Sequence, residues 1–343
     1  MKGELLNKHV NIPVFIPEQG CKFRCSFCNQ HSITTKKQLP EVFEIHELIR
    51  SHLQTLSVNT EVQIAFFGGN FCGLEKEEKI KYLQISDYYI NSGIIDSVRI
   101  STRPDTITME ELIFLKDHHV KNIELGAQSM DDEVLKQSGR GHTAECTRDA
   151  SRLIRSMGFV LGLQMMIGLP GDTLEKSIQT AHEIVDCMAS ETRIYPCLVI
   201  ENTVLASWYQ EGLYQAMNLD EAVNTAAVLF GIFESAGVRI LKAGLHPSKE
   251  LNDESALIAG PYHASFRELV ETRIWGELLL SEIKTHALLS ECIRIYVPRG
   301  SINFASGYKG VNRKNLGECV KEIKFYTDEN LSGREFRIDY CGK

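Results

Sequence analysis

Residues 12–29 read IPVFIPEQGCKFRCSFCN, and this stretch decides the fold. The apolar run Ile12–Ile16 predicts a β-strand. The loop that follows carries Cys21, Cys25 and Cys28 in a C-x3-C-x2-C pattern. Cysteine thiolates hold [4Fe–4S] clusters, and three of them suit three irons of the cube. The fourth iron is then open to a small molecule that can be reduced there.

Two other interpretations of the three cysteines stay open at this point. They could bind zinc together with His31, since tetrahedral zinc sites combine cysteine and histidine ligands. They could also be ordinary packed thiols. The other seven cysteines are scattered along the chain and form no second C-x-x-C pair, so we do not expect a second cluster.

The composition fits a globular protein with one large and one smaller domain: 343 residues, 43% hydrophobic and 24% charged. No apolar run approaches the roughly 18 residues that span a bilayer, and the first residues show no signal-peptide pattern. We therefore expect a cytoplasmic protein without a membrane partner, whose cysteines bind metal or pack rather than form disulfides.

The charge is uneven along the chain. The net charge is −8, but residues 292–343 carry ten Lys/Arg and six Asp/Glu, so this segment is at +4 and the remainder is at −12. Overall acidity argues against a protein coated in nucleic acid, and DNA is not expected as a partner. The basic segment allows one local site for RNA.

Apolar strands alternate with amphipathic helices over most of the chain. We predict strands at 12–16, 62–67, 96–101, 121–126, 160–167 and 193–199, and helices at 41–56, 76–91, 108–118, 131–156 and 173–188. The strands are apolar on both faces, as parallel strands covered by helices should be. The pattern predicts the α/β class with a partial (β/α)6 TIM-like barrel. The predicted domains are a barrel at 1–245, a helical closing segment at 246–290 and a small α/β domain at 291–343.

Polar and glycine residues follow four of these strands. They form the segments FFGGNF (66–71), STRPD (101–105), ELGAQS (124–129) and QMMIGLPGDT (164–173). In α/β barrels the carboxyl ends of the strands meet at one face, and the cysteine loop follows the first strand at that face. The two glycines in 66–71 let the backbone approach a ligand closely. Together the segments predict a ligand site there.

The cysteine loop, these four segments and SGRGHT at 138–143 resemble the radical S-adenosylmethionine (SAM) superfamily. Within it, the chain is most similar to the branch of the catalytic subunit of Elongator, which modifies wobble uridine in tRNA. Oxygen-independent coproporphyrinogen oxidase is a more distant relative. The chain departs from the Elongator subunit in its cysteine spacing and has too few residues after the barrel for an acetyltransferase domain. Acetyl-CoA-dependent chemistry therefore does not transfer.

The resemblance implies a [4Fe–4S] cluster on the three cysteines, with SAM bound to the fourth iron. The residues that it implies as SAM contacts are Phe27, Gly68, Gly69, Asn70, Ser101, Gln128, Arg140 and Gln164. Phe27 would pack near the adenine, residues 68–70 would contact the amino group, and the serine and the glutamines would bind the ribose. Arg140 would pair with the carboxylate, as charge-assisted pairing favours. The alternatives are a polar core network for the glutamines and a solvated loop charge for Arg140.

Tyr195 ends the sixth predicted strand and is a candidate catalytic residue beside the three cysteines. Its phenol could relay an electron or a hydrogen to a substrate radical. Core packing is the alternative interpretation of this side chain.

The last segment predicts a strand (293–297), a helix (301–306), a loop, a helix (312–320) and two strands (323–326 and 335–339). The loop carries a G-x-x-G motif between the two helices, and this order resembles a KH-type RNA-binding core. The residues predicted to contact RNA are Gly307, Lys309, Gly310, Arg313 and Lys314. The alternative is a small α/β cap whose glycines only form a turn.

These features predict a radical SAM enzyme that cleaves SAM to methionine and a 5′-deoxyadenosyl radical. A flavodoxin- or ferredoxin-type protein is the expected electron donor. RNA, either tRNA or rRNA, is the preferred substrate. A small organic substrate such as a porphyrinogen is the first alternative, and an iron–sulfur electron-transfer or binding protein without SAM chemistry is the second.

Overall fold

The computed structural model describes residues 8–341, apart from 18–19, 30–38, 58–59, 247–250, 252–255 and 287–291. The strands are β1 (Lys8–Ile16), β2 (Thr60–Gly68), β3 (Ser97–Thr102), β4 (Val120–Gln128), β5 (Val160–Ile167), β6 (Glu191–Pro196), β7 (Val199–Ile200), β8 (Arg239–Ala243), β9 (Leu257–Ala259), β10 (Cys292–Val297), β11 (Glu322–Thr327) and β12 (Arg337–Cys341). The helices are α1 (Val42–Leu53), α2 (Lys76–Asn91), α3 (Met109–Asp117), α4 (Asp132–Gln137), α5 (Ala144–Ser156), α6 (Leu174–Asp186), α7 (Val204–Gln210), α8 (Leu219–Ser235), α9 (Phe266–His286), α10 (Ile302–Ser306) and α11 (Val311–Leu316).

The main sheet has seven strands in the order β1-β2-β3-β4-β5-β6-β8. Each strand is parallel to its neighbour. The carboxyl ends of all seven strands therefore lie along one edge of the sheet. The prediction of a partial TIM-like α/β barrel is confirmed, and β8 extends the six predicted strands by a seventh.

The sheet is curled, and one buried ion pair illustrates this. Arg99 on β3 contacts Glu191 on β6, with 2.6 Å between Nη2 and Oε2, although β4 and β5 lie between them. A flat sheet would hold strands β3 and β6 about 14 Å apart. The ion pair therefore lies across the concave side of a half-barrel.

The two faces of the sheet bury different side chains. Apolar residues such as Ile64, Ile123 and Leu163 are fully buried in the large core that the sheet and its helices share. The concave side holds polar groups, including Gln63, whose amide donates to Ser97 Oγ (2.7 Å). Buried polar groups are stable only when they are hydrogen-bonded, so the interior of the barrel is a connected polar layer.

Several helices begin at a capping side chain that accepts a hydrogen bond from the backbone N–H three residues later. The capping residues are Thr108, Asp131, Thr143, Thr173, Thr203 and Asn218. These caps fix where α3 to α8 start, and with them the short loops that follow the strands.

Three predicted elements differ from the structure. The helix predicted over 131–156 is two helices, because Gly139 and Gly141 adopt φ values of +66° and +72° that end the first one. The strand predicted over 193–199 ends at Pro196, and β7 leaves the barrel sheet to pair antiparallel with β9. The predicted helical closing segment, 246–290, contributes that strand as well as α9.

The carboxyl-terminal module has a three-stranded sheet in the order β11-β10-β12. β10 is parallel to β11 and antiparallel to β12. The predicted order of strand, helix, loop, helix and two strands is confirmed. Its core also takes in Trp275, Leu279 and Ile283 from α9, whereas Phe266 and Val270 of the same helix belong to the barrel core. No helix in the described part of the chain is long and apolar enough to cross a membrane.

Candidate active site

A cavity of about 910 Å³ opens at the carboxyl ends of the barrel strands. Residues from β1 to β6, the cysteine loop and the segment after β8 line it. The predicted site residues that line the cavity are Cys21, Cys25, Phe27, Cys28, Gly68, Gly69, Ser101, Gln128, Arg140, Gln164 and Tyr195. The parallel sheet thus brings together residues that lie far apart in the sequence.

The middle of the cysteine loop is held by two other segments. The Ser26 amide donates to the carbonyl of Ser138 (3.0 Å), and the Leu205 amide at the start of α7 donates to the carbonyl of Ser26 (2.8 Å). Cys25 is buried, Cys28 is half-buried and Cys21 is exposed. The turn after α4 and the start of α7 therefore hold the middle of the cysteine loop beside the cavity.

Asn70 has a different place from the one predicted. Its side chain is fully buried, and its Nδ2 donates to the carbonyl of Gly20 (2.7 Å). Its Oδ1 accepts from Thr102 Oγ1 (2.6 Å) and from the Arg103 amide (3.0 Å). The amide predicted to face SAM is thus used to tie the start of the cysteine loop to the end of β3.

Gln128, which ends β4, and Gln164, which lies on β5, contact each other. Gln164 Nε2 donates to Gln128 Oε1 at 3.1 Å. Gln128 has a left-handed φ of +69°, at a register shift between β4 and β5. A side chain at Gly126 would come within 3.0 Å of the Gln128 amide. Strained non-glycine backbone persists where the surroundings fix it, and it is common at functional sites.

The floor of the cavity is a polar series across β3, β4 and β6. Arg193 Nε lies 2.8 Å from Glu124 Oε2, and Arg193 Nη1 donates to the hydroxyl of Tyr195 (3.3 Å). Ser101 Oγ donates to Glu124 Oε1 (3.3 Å). Burial raises the pKa of the Tyr195 phenol, so it keeps its proton at neutral pH. Ser101 faces this carboxylate in addition to lining the cavity.

Two guanidinium groups lie beside the cysteine loop. Arg140 Nη1 donates to Cys25 Sγ (3.1 Å) and its Nη2 donates to the carbonyl of Gly126 (2.5 Å). Arg103 Nη2 donates to the carbonyl of Arg140 (2.5 Å), and its Nε donates to Asp105 (2.8 Å). Arg140 Nε and Arg103 Nη1 are buried without a hydrogen-bond partner among the described residues. Both side chains also line the cavity, where they contribute positive charge.

The sequence interpretation did not single out Arg103, Glu124 or Arg193 as site residues. Arg103 and Glu124 lie within the quoted segments STRPD and ELGAQS, so their positions at strand ends were the available signal. Arg193 is the first residue of a predicted strand and follows three polar residues, so no sequence signal placed it in the barrel interior.

The cavity wall carries an excess of positive charge. Among the described residues that line it, the cationic side chains are Lys22, Arg24, Arg103, Arg140 and Arg193, and the carboxylate is that of Glu124. The charge also affects His142, which is buried behind the wall. Burial and the positive charges of Arg140 and Arg103 lower the pKa of His142 to about 4. The wall therefore favours anionic ligands and leaves His142 neutral at pH 7.

Two family models match successive parts of the chain: the radical SAM superfamily over residues 15–184 and the radical SAM C-terminal domain over residues 189–275. The chain belongs to the radical SAM superfamily. As a radical SAM enzyme it comes from a family whose members bind a [4Fe–4S] cluster and SAM. The second family model ends inside α9, so the terminal module lies beyond both.

Relatives of this radical SAM enzyme include the tRNA uridine(34) acetyltransferase of Methanocaldococcus infernus, 35% identical over 36% of this chain and 24% of the relative. The heme chaperone HemW of Buchnera aphidicola is 27% identical over 56% of this chain and 52% of the relative. The chain thus spans between a quarter and about half of the length of these curated relatives. The solved structure of Methanocaldococcus infernus Elp3 superposes with a TM-score of 0.56 at 20% identity, covering 83% of this chain and 65% of that one. The superposition supports the fold.

The residues present fit the family's cofactors. Among the described residues, no three His, Cys, Asp or Glu side chains converge on a position for a single metal ion, and His31 lies outside them. The three cysteines lie on one loop and line one cavity, as ligands of separate irons in a cube would. The guanidinium of Arg140, which lines the same cavity, suits the carboxylate of SAM.

The G-x-x-G loop of the terminal module packs against α9. The Tyr308 amide donates to Thr272 Oγ1 (2.8 Å), and the amides of Gly307 and Gly310 donate to backbone carbonyls nearby. A side chain at Gly307 would lie 2.7 Å from the Asn312 amide, whereas one at Gly310 would meet nothing within 4 Å. The loop amides are thus largely used inside the protein, while the side chains of Lys309, Arg313 and Lys314 are exposed.

Proposed function

We propose that this radical SAM enzyme holds a [4Fe–4S] cluster on Cys21, Cys25 and Cys28 and uses SAM to modify RNA. The observation that supports this best is the convergence of the three cysteines and the strand-end polar residues on one cavity. When bound, a reduced cluster supplies one electron to SAM, which yields methionine and a 5′-deoxyadenosyl radical able to abstract hydrogen from a substrate.

The side chains of the cavity have distinct tasks in this proposal. Arg140 binds the SAM carboxylate, since it is a cation that lines the cavity and contacts Cys25 of the cysteine loop. Gln128 and Gln164 orient the ribose through the amide groups that their mutual hydrogen bond aligns. Tyr195 lines the same cavity with a protonated phenol that would donate a hydrogen bond to the substrate. Phe27 and the backbone of Gly68 and Gly69 border the nucleoside.

RNA is favoured as the substrate by two observations. Relatives of the barrel include enzymes named for uridine 34 of tRNA. The terminal module adds exposed cations at Lys309, Arg313 and Lys314, and phosphate contacts of this kind dominate nucleic-acid affinity. Because the loop amides are occupied, side-chain charge rather than backbone amides would hold the RNA.

The test is an anaerobic assay of the reconstituted full chain with dithionite and SAM, with and without total cellular RNA, that quantifies 5′-deoxyadenosine. The matched control is the same RNA after digestion to nucleosides. We expect product that rises with intact RNA. Product that is indifferent to RNA would contradict the RNA substrate and leave the SAM chemistry, whereas no product from iron-loaded protein would contradict both.

The SAM site has its own test. We expect Arg140→Ala to weaken SAM binding about tenfold or more, because a charge-assisted hydrogen bond is lost, while the iron content stays that of the wild type. Equilibrium dialysis with SAM measures this. Arg152→Ala removes an exposed arginine of α5 and serves as the control.

A tetrapyrrole is the second candidate ligand, because relatives matching more than half of this chain are named heme chaperones. In that case added haem should give a saturable Soret band with the wild type. Coproporphyrinogen would stimulate 5′-deoxyadenosine formation if the tetrapyrrole were a substrate. If either result were obtained and 5′-deoxyadenosine formation did not respond to RNA, a tetrapyrrole would replace RNA as the proposed ligand.

A further inference from the structure

The part of the cysteine loop between Cys21 and Cys25 contains an aromatic side chain that the SAM chemistry does not explain. Phe23 is 43% exposed, which is unusual for a large apolar residue that borders a cavity. The Arg103 guanidinium lies over its ring, 5.3 Å from the ring centroid. Gly141 lies against the same ring, so close that a Cβ there would be 2.4 Å from Phe23 Cγ.

We propose that Arg103, Phe23 and Gly141 form a clasp that sets the position of the cysteine loop before a cluster binds. Arg103 is the central member, because it is 4% exposed and bonded on two further sides. Its Nε donates to Asp105 (2.8 Å) and its Nη2 donates to the carbonyl of Arg140 (2.5 Å). A guanidinium held in this way has little rotamer freedom left to lose when Phe23 stacks on it.

The clasp complements the other attachments of the loop. Asn70 fixes the start of the loop through Gly20, and the turn after α4 fixes its middle through Ser26. The turn after α4 also lies close to Arg24, because a Cβ at Gly139 would be 3.3 Å from the Arg24 carbonyl oxygen. Phe23 precedes Arg24 in the same interval between Cys21 and Cys25, and its ring adds a side-chain contact to Arg103 there.

Gly141 is required for a steric as well as a conformational reason. Its φ of +72° favours glycine. Gly237 has a nearly equal φ of +71°, but a methyl group added there would meet nothing within 4 Å. A comparison of alanine substitutions at Gly141 and Gly237 therefore distinguishes the effect of backbone strain from that of a collision with the Phe23 ring. Arg103, Phe23 and Gly141 are positioning residues here, since they act on the loop rather than on SAM.

The inference rests on the proposed function, because the loop must hold a cluster for its position to matter. The experiment compares wild type, Phe23→Leu, Gly141→Ala and the control Gly237→Ala as full-length, anaerobically reconstituted protein. The readouts are iron per chain and the rate of iron release to a chelator, followed by absorbance. A second readout is hydrogen exchange of residues 20–29 in the iron-free protein.

We expect Phe23→Leu and Gly141→Ala to release iron about threefold to tenfold faster than wild type, as the loss of a cation–π interaction suggests. Amides of the loop should exchange faster in the same two variants, and Gly237→Ala should match the wild type. The double variant Phe23→Ala/Gly141→Ala should be no worse than Phe23→Ala alone, because the methyl group then has no ring to displace.

Three outcomes would overturn the clasp. One is iron release and loop exchange in Phe23→Leu that equal those of the wild type. Another is an equal effect of Gly141→Ala and Gly237→Ala, which would leave only backbone strain. The third is a double variant whose defect is the sum of the single ones. A wild type that binds no iron–sulfur cluster would instead contradict the proposed function, so the two failures are distinguishable.

Discussion

The barrel cavity and the G-x-x-G loop were both predicted from short motifs, yet the structure treats them differently. At the barrel, residues from the cysteine loop to Tyr195 line one cavity, because parallel strands deliver their carboxyl ends to a common edge. At the loop, Thr272 and neighbouring carbonyls take up most of the backbone amides that the motif was expected to offer. The sheet fixes the position of a motif at a strand end. In an isolated loop motif, the residues that pack against the loop decide which of its groups stay available to a ligand.

The strongest test of the barrel half of this comparison is Cys25→Ala. We expect it to abolish the brown chromophore and SAM cleavage, because a cube with two protein ligands is no longer held. Iron analysis and 5′-deoxyadenosine measurement check this. Cys319→Ala removes an exposed cysteine of the terminal module and should change neither. A Cys25→Ala protein that keeps its cluster would refute the ligand assignment.

Two ion pairs, one in the barrel and one in the terminal module, allow the free energies of unfolding to be compared between the two regions. Glu124→Gln leaves Arg193 unpaired in the barrel interior, where the two side chains are 3% and 19% exposed. We expect it to lower the free energy of unfolding by about 3–5 kcal/mol, measured by urea denaturation.

The control for that measurement is Glu322→Gln in the terminal sheet. Its partner there is Lys324, and both side chains are more than half exposed, so we expect no measurable change. Equal effects at the two sites would mean that Glu124 and Arg193 are as well solvated as a surface pair.

The RNA interpretation of the terminal module depends on charge. We expect Lys309→Glu to weaken RNA binding several-fold and to lower the slope of log affinity against log salt by roughly 0.7 for each phosphate that the variant no longer binds. Fluorescence anisotropy with labelled tRNA at several salt concentrations measures both. Lys76→Glu makes the same charge change on the exposed start of α2 and should leave the slope unchanged. If the two variants responded identically, Lys309 of the terminal module would not contact RNA.

The smallest effect concerns pH. The folded protein lowers the pKa of His142 from 6.5 to about 4, so the unfolded chain binds the proton more readily over this range. Stability contributed by neutral His142 is then present above pH 6.5 and is lost as the pH falls towards 4. The midpoint of thermal unfolding should fall less between pH 7 and 4.5 in His142→Gln than in the wild type. A parallel decrease would show that His142 titrates normally.

The barrel was predictable because apolar strands alternate with helical segments along the chain. The prediction that these strands are apolar on both faces is wrong, because the concave face carries polar groups such as Gln63 and Arg99. The cysteine loop was predictable from its position after the first strand, and the two glutamines were predicted from the family resemblance. The clasp on Phe23 was not, because nothing local to residue 23 indicates that Arg103 and Gly141 lie against it. The same holds for Asn70, whose amide is claimed by Gly20, Thr102 and Arg103 only once the loop and β3 are adjacent. Residue type and spacing indicate which groups are available, and packing decides which partner takes them.

Helix α9 belongs to both the core of the barrel and the core of the terminal module. Its first turns are anchored in one core by Phe266 and Val270, and its later turns in the other by Trp275, Leu279 and Ile283. A cut at residue 291, where the sequence suggested a boundary, would strip the smaller sheet of its largest apolar side chain. A truncation that keeps the contacts of the G-x-x-G loop has to begin before Thr272, because the Tyr308 amide donates to the hydroxyl of that residue.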